Sequence, residues 1–324
     1  MDFIDIVKKP VISEMQVFEE TFVSTLQTEN ALLVKVNESV LRKKGKQLRP
    51  TLVLLAAKLC GGVNFLTIQS AISIELLHTA SLIHDDVVDE TLERRGKASV
   101  NAQWNNKIAV LSGDYMLSKS LLHATKTQNI GILDIISNIG VQLSEGELLQ
   151  LSNIQKSETS EEDYFTMIRQ KTALLFASCT RIGAMSVGAG EDSLLRLWRY
   201  GEYLGICFQI KDDIFDYSDN NKIGKPTKND IREGKITLPL IYALRNTNGA
   251  AKEQVVDWIR EKNFSPDNVQ AIANFAYRHG GIDYATKRMK EFKEKAIAEI
   301  AIFPDSDVKQ ALIDCAEFAV SRTV

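Results

Sequence analysis

Two acidic runs in this chain share one design: Asp85-Asp86-Val87-Val88-Asp89 and, 127 residues later, Asp212-Asp213-Ile214-Phe215-Asp216. Residues four apart share a helix face. Asp85 therefore points with Asp89, and Asp212 with Asp216. One acidic cluster on a helix is ordinarily a solvated face. Here the flanks are Ile72–His84 and Leu204–Ile210, both rich in aliphatic residues. Carboxylates in such surroundings need a counter-charge. Mg²⁺ suits them, because it takes one or two carboxylates and completes its shell with water and substrate phosphates. Two rows facing each other across a cavity would form a multi-metal clamp for a diphosphate.

Basic segments complement the rows. They are Gly45-Lys46-Gln47-Leu48-Arg49-Pro50, then Glu93-Arg94-Arg95-Gly96, and Gly224-Lys225 followed by Asp230 and Lys235. Arginine offers a planar fork to phosphate oxygens and lysine a compact charge. Each segment alone could be a solvated surface pair; their closeness to the aspartate rows and helix ends favours phosphate binding. His78 lies seven residues before Asp85, near the same helix face, and is assigned a phosphate hydrogen bond. His84 has no assigned role. Lys171, Thr172 and Gln209 sit within apolar helical sequence and need partners. They would either bond helix to helix or aim dipoles and charge at a reacting centre and its leaving group.

The elements that must carry these groups are helices. No proline occurs from 51 to 225, and apolar residues recur at spacings of three and four. The pattern predicts helices over 11–37, 51–60, 66–91, 107–126, 130–155, 161–189, 192–218, 235–246, 251–261, 267–278, 282–302 and 306–321. No linker or low-complexity tract interrupts them, so one domain over 1–324 is expected. A net charge of −3 gives no support for nucleic-acid binding. The scattered Cys60, Cys179, Cys207 and Cys315 form no C-x-x-C pair and read as reduced, which suits the cytoplasm. No signal-peptide pattern and no uncharged run of membrane-spanning length is found.

Taken together, the motifs resemble those of the trans-prenyltransferases, the head-to-tail polyprenyl diphosphate synthases. They are G-K-x-x-R-P at 45–50, the H-D-D-x-x-D ending at 89, R-R-G at 94–96, G-D-Y at 113–115, E-G-E-x-x-Q at 145–150, K-T at 171–172, Q-x-x-D-D-x-x-D at 209–216 and G-K-x-T-L-P at 234–239. The resemblance implies an all-α fold, a single large helical bundle of the isoprenoid synthase type with a central active-site cavity. It implies that Asp85, Asp89, Asp212 and Asp216 hold three Mg²⁺ ions on an allylic diphosphate, with Asp86 and Asp213 completing the catalytic rows. Arg94, Lys171, Lys225 and Lys235 would reach that diphosphate. Lys46, Arg49, His78 and Arg95 would hold the diphosphate of isopentenyl diphosphate. Thr172 and Gln209 would shield the allylic cation. The family often has glycine where Lys228 stands; glycine permits positive φ at no steric cost, and lysine there is expected to alter the loop that closes over the diphosphate without removing a ligand.

The helix before Asp85 also offers a ruler. Ser81, Ala80 and Leu77 lie four, five and eight residues back, and Ile74 lies roughly 16 Å below the carboxylates at about 1.5 Å per residue. Family members making short products resemble this layout but carry bulky aromatics beside the motif. Ala80 and Ser81 leave the path open, and Ala124, Ile135, Ile136 and Ile139 are expected as aliphatic walls. A product near C40, within C30–C50, from a farnesyl or geranyl primer is expected, serving as a quinone side chain and passed to membrane enzymes. The resemblance further implies a homodimer through the 107–155 region. A terpene cyclase usually lacks the second D-D-x-x-D and the 45–50 segment. An inactive partner subunit typically loses an aspartate row. This chain keeps all three features.

Overall fold

The computed structural model describes residues 3–42, 45–94, 96–153, 159–218 and 228–322. Its architecture is all-α, with one two-stranded ribbon among the described residues, Glu93–Arg94 paired antiparallel with Lys97–Ala98. The chain divides into two compact units. One comprises Met1–Gly140, Ser178–Trp198 and Phe303–Leu312; the other comprises Val141–Ala177, Arg199–Ile302 and Ile313–Val324.

The first unit is organised around the Phe65–Val88 helix, which carries the first aspartate row. It starts sharply because Asn64 and Thr67 form a reciprocal capping box. It then runs without glycine or proline. By length and composition it could cross a membrane, yet 72% of that window is buried inside the protein, so it reads as a core helix. The Asn106–Lys126 helix packs on it. At their crossing, Ser73 Oγ donates to the Ser120 carbonyl at 2.9 Å and Ser120 Oγ returns a bond to the Ser73 carbonyl at 2.7 Å. Small side chains let the two backbones approach, and each hydroxyl is satisfied. Nearby, the His123 ring lies 2.7 Å from Gln69 Oε1 and 3.2 Å from Thr25 Oγ1. Alongside, the Leu48–Cys60 helix buries every residue from Pro50 to Ala57.

The second unit contains the Glu161–Ile168 helix, a π-helical turn over Arg169–Ala173, the later part of the Glu191–Asp216 helix, and the helices Leu238–Arg245, Ala250–Arg260, Pro266–Arg278 and Gly281–Ile300. Gly205 decides how the π turn meets the second aspartate helix. A Cβ there would lie 2.6 Å from the Ala173 Cα, so only glycine admits this approach. A satellite core forms where Leu240, Ala243, Val255, Ile272 and Phe275 pack together.

Several helix boundaries differ from expectation. The 11–37 helix is two, Ile12–Thr25 and Ala31–Leu41, because Asn30 accepts from the Leu32 and Leu33 amides and starts a new helix. The 161–189 helix is interrupted by the π turn, and 235–246 starts at Leu238. The cysteines agree with expectation: all four are free, and burial pushes the thiols of Cys179 and Cys207 up to about 12.

Burial, followed by Lys126 and Lys119, lowers the His123 pKa to about 4. The ordinary value is near 6.5. Between those two values the unfolded chain binds the extra proton, so this stability is complete above about pH 6.5 and is lost as pH falls towards 4. Urea unfolding should therefore lose on the order of 1–2 kcal/mol more between pH 6.5 and 5 in the native protein than in His123→Gln. Parallel pH profiles for the two proteins would contradict the assignment.

Candidate active site

In the first unit, the last turn of the Phe65–Val88 helix delivers the first aspartate row. Asp85 is half-buried, Asp86 buried, and Asp89 exposed as the C-cap, its amide donating to the Asp85 carbonyl at 2.8 Å. Asp86 is held by Arg94, whose Nε lies 2.7 Å from Oδ1. Arg94 is set in place by the small ribbon, which turns through Gly96 at φ 72°. A cavity of about 80 Å³ gathers Gly45, Gln47, His78, Asp86 and Arg94 on its walls. Lys46 is exposed and Arg49 half-buried at the start of the Leu48–Cys60 helix; neither lines that cavity. Arg95 lies outside the described residues.

The G-D-Y segment receives a physical reason. The His84 ring lies against Gly113, where a Cβ would come within 2.3 Å of Nε2. The same nitrogen is 3.2 Å from the Val110 carbonyl and 3.3 Å from Asp114 Oδ1. His84 thus ties the residue before Asp85 to the neighbouring helix. Among the ruler residues, Ile74, Leu77 and Ala80 are buried, while Ser81 is half-buried and donates to the His78 carbonyl at 2.9 Å. Ala124, Ile136 and Ile139 are buried and Ile135 half-buried, all within this unit.

In the second unit, a cavity of about 130 Å³ is lined by Lys171, Thr172, Gln209, Asp213, Asp230 and Lys235, among others. Thr172 Oγ1 donates to Gln209 Oε1 at 2.7 Å, and Gln209 Nε2 donates to Asp213 Oδ1 at 2.8 Å. Asp213 Oδ2 accepts from the fully buried Tyr164 hydroxyl at 2.5 Å. Lys171, presented by the π turn, pairs with Glu147 Oε2 at 2.7 Å. Lys235 pairs with Glu233 at 2.6 Å and lies 3.9 Å from Asp230. Asp212, 57% exposed, is paired with Arg322 at 2.8 Å. Asp216 accepts the amides of Asn229 and Asp230 at 2.8 and 3.1 Å, capping the Asn229–Arg232 helix. Lys225 lies outside the described residues. Lys228 does adopt positive φ, 67°, and its ammonium donates to Gln270 Oε1 at 2.6 Å, anchoring a backbone shape that glycine would take without strain.

Electrostatics in this unit are set by the burial of carboxylates first and by their crowding second. Burial first, then the charge of Asp230, pushes Asp213 up to about 8, against the bonds from Tyr164 and Gln209 that pull it down. Burial and Asp230 likewise raise Asp216 to about 6. Asp230 itself is raised, by burial first, although Lys235 and Lys171 oppose this. Among the described residues, no three His, Cys, Asp or Glu side chains converge to cage an ion unaided. The donors are oxygens, and their mutual repulsion marks an excess of negative charge that a divalent cation would offset. These residues fit Mg²⁺ completed by phosphate and water.

Sequence reasoning missed Tyr164, Glu147 and Arg322. Tyr164 stands seven residues before Lys171 in an apolar helix, a spacing that could have drawn attention to it. Glu147 lies inside the E-G-E-x-x-Q segment, and Arg322 carries no local signal.

Comparison with known proteins places these features in context. Residues 30–276 match the family model described as polyprenyl synthetase. The chain is 37% identical over 322 residues to octaprenyl diphosphate synthase of Haemophilus influenzae, covering 98% of this chain and 97% of that protein. It is similar to the crystal structure of geranylgeranyl pyrophosphate synthase from Bacteroides thetaiotaomicron, at 44% identity and a TM-score of 0.86, covering 99% and 100% of the two chains. It also resembles polyprenyl synthase from Caulobacter crescentus, solved with calcium and isoprenyl diphosphate, at 31% identity and a TM-score of 0.92, covering 99% and 98%.

Tyr164→Phe removes one of the two side-chain donors to a buried carboxylate. It should cost about 1–3 kcal/mol in urea unfolding. A variant within a few tenths of the native value would show that the hydroxyl does not support Asp213.

Proposed function

The chain belongs to the polyprenyl synthetase family of prenyltransferases, and we propose that its own reaction is head-to-tail condensation of isopentenyl diphosphate onto a farnesyl or geranyl diphosphate primer. The observation that carries this reading is the second-unit cavity, where lysines, a hydroxyl–amide chain and buried carboxylates meet. Such groups gathered at one place suit a reaction that separates charge.

Asp85, Asp89, Asp212 and Asp216 would hold three Mg²⁺ ions, which would supply charge neutralisation for the departing pyrophosphate. The protein's own groups do the rest. Lys171 and Lys235, with Arg94 and Lys225, bind the allylic diphosphate as point charges and a fork. Lys46, Arg49, His78 and Arg95 bind the diphosphate of isopentenyl diphosphate, which depends on cations alone. Asp86 orients Arg94 through their ion pair. Tyr164 and Asp213 fix the amide of Gln209, whose oxygen in turn accepts the hydrogen bond of the Thr172 hydroxyl. The Thr172 oxygen then offers lone pairs to the allylic cation. The proton lost after condensation passes to an oxygen of the released pyrophosphate, which serves as the base and carries it away.

The product is about C40, within C30–C50, by likeness to the octaprenyl synthase and by the small side chains at Ala80 and Ser81. A shorter product of about C20 is the second reading, favoured by the 44% identity to a protein named for geranylgeranyl pyrophosphate synthesis. The enzyme acts in the cytoplasm, where its free cysteines stay reduced, and hands the chain to membrane enzymes for quinone assembly. It works as a homodimer, a reading supported by exposed Val110, Leu111, Leu121 and Leu122 on the Asn106–Lys126 helix.

The test is the chain length of radiolabelled product made from isopentenyl diphosphate and each primer with Mg²⁺. A ladder ending near C40 is expected, and a stop near C20 would establish the second reading. Ala80→Tyr should shift the end-point to about C15–C20 while primer consumption persists, because a packed core cannot absorb the ring cheaply. Parental-length product from that variant would show that the tail does not pass Ala80.

A further inference from the structure

The second aspartate helix carries Phe208, Asp212 and Phe215 at spacings of four and three, so they share one side. Arg322, which follows the Asp307–Ser321 helix, lies along that stripe. Its Nη2 donates to the Phe208 carbonyl at 2.8 Å and to Asp212 Oδ1 at 2.8 Å. The guanidinium carbon sits 4.6 Å from the centre of the Phe208 ring and 5.5 Å from that of Phe215. The arginine side chain is only 11% exposed, whereas that of Asp212 is 57% exposed. One partner of this pair is fixed by a carbonyl and two rings; the other stays open to solvent.

That asymmetry separates it from an ordinary surface ion pair, in which two mobile side chains gain little. Arginine cannot shed its proton to escape burial. Moving it off the stripe would forfeit both ring contacts and the carbonyl bond. The carboxylate needs no such movement to accept a second cation, since only one of its oxygens is engaged by the guanidinium. Carboxylates that ligate metals are commonly held by an outer hydrogen-bond donor that fixes their orientation.

We propose that Arg322 is a positioning residue for the second aspartate row: it holds Asp212 by Oδ1 and leaves Oδ2 to the divalent cation. The inference rests on the proposed Mg²⁺–diphosphate function and adds a residue to it. It also has an opposite. If Arg322 were instead a resident cation that the metal must expel, removing it would tighten metal binding. Orientation predicts that removing it weakens binding.

Thermal unfolding of the full chain at a fixed concentration of inorganic pyrophosphate, titrated with Mg²⁺, separates the two, because a ligand of the folded state raises the melting temperature according to its affinity. The half-saturating Mg²⁺ concentration should rise about 10–100-fold in Arg322→Gln. Arg322→Lys keeps the charge but loses the planar contact with the rings, and should show a smaller rise in the same direction. In an Asp212→Asn background, Arg322→Gln should change nothing further, as coupled residues require. If Arg322→Gln fails to fold, the lysine variant decides: a half-saturating concentration equal to or below that of the native protein overturns the proposal. A native protein that Mg²⁺ and pyrophosphate do not stabilise would remove the proposed function and this inference together. A native response with an unchanged or tightened Arg322→Gln removes the inference alone.

Discussion

The constraint on which the second unit's site depends is the burial of Asp213 among neighbouring carboxylates. Asp213 is 2% exposed, and Asp216 and Asp230 add charge beside it. A polypeptide does not gather acids this way for stability, since each desolvated charge costs several kcal/mol unless it is answered. The neighbouring structure answers each in a different manner. Asp213 receives a phenol and an amide, Asp216 receives two backbone amides and Asp230 has Lys235, while Asp212 stays open to solvent and is paired with Arg322. Asp213, Asp216 and Asp230 stay shifted upward by burial despite these donors. A site left short of positive charge and lined by oxygen fits the divalent cations proposed for it.

The same logic orders the local structure around it. The π turn brings Lys171 and Thr172 to the cavity wall, a use of π geometry often found at functional sites. Gly205 permits the turn to sit close to the helix that bears Gln209 one turn later. In the first unit, Asp86 is paired with Arg94, which a short ribbon carries, and His84 ties the same helix end to its neighbour through the space left by Gly113. Asp89, by contrast, remains exposed.

Much of this was legible in the residues. The helical class followed from the proline-free stretch and the spacing of apolar residues. Thr172 and Gln209, read as needing partners, partner each other. The position of Lys228 was read as one that suits positive φ, and it has it. What escaped the sequence was non-local. Arg322 and Asp212 are 110 residues apart, and Tyr164 and Asp213 are 49 apart. No periodicity encodes such pairs, because they arise only when helices pack. The π turn was invisible because it spans only Arg169–Ala173, too short a stretch for a change of period to register in the apolar pattern. The break at Asn30 was available as an N-cap signal, but the apolar spacing on either side ran on through it.

The central claim is that both aspartate rows act through divalent cations on a diphosphate, and removal of one oxygen donor from each row tests it most directly. Single-turnover condensation with saturating Mg²⁺ should fall by about two orders of magnitude or more in Asp85→Ala and in Asp212→Ala, with helical circular dichroism unchanged. Near-native turnover by either folded variant would contradict the claim.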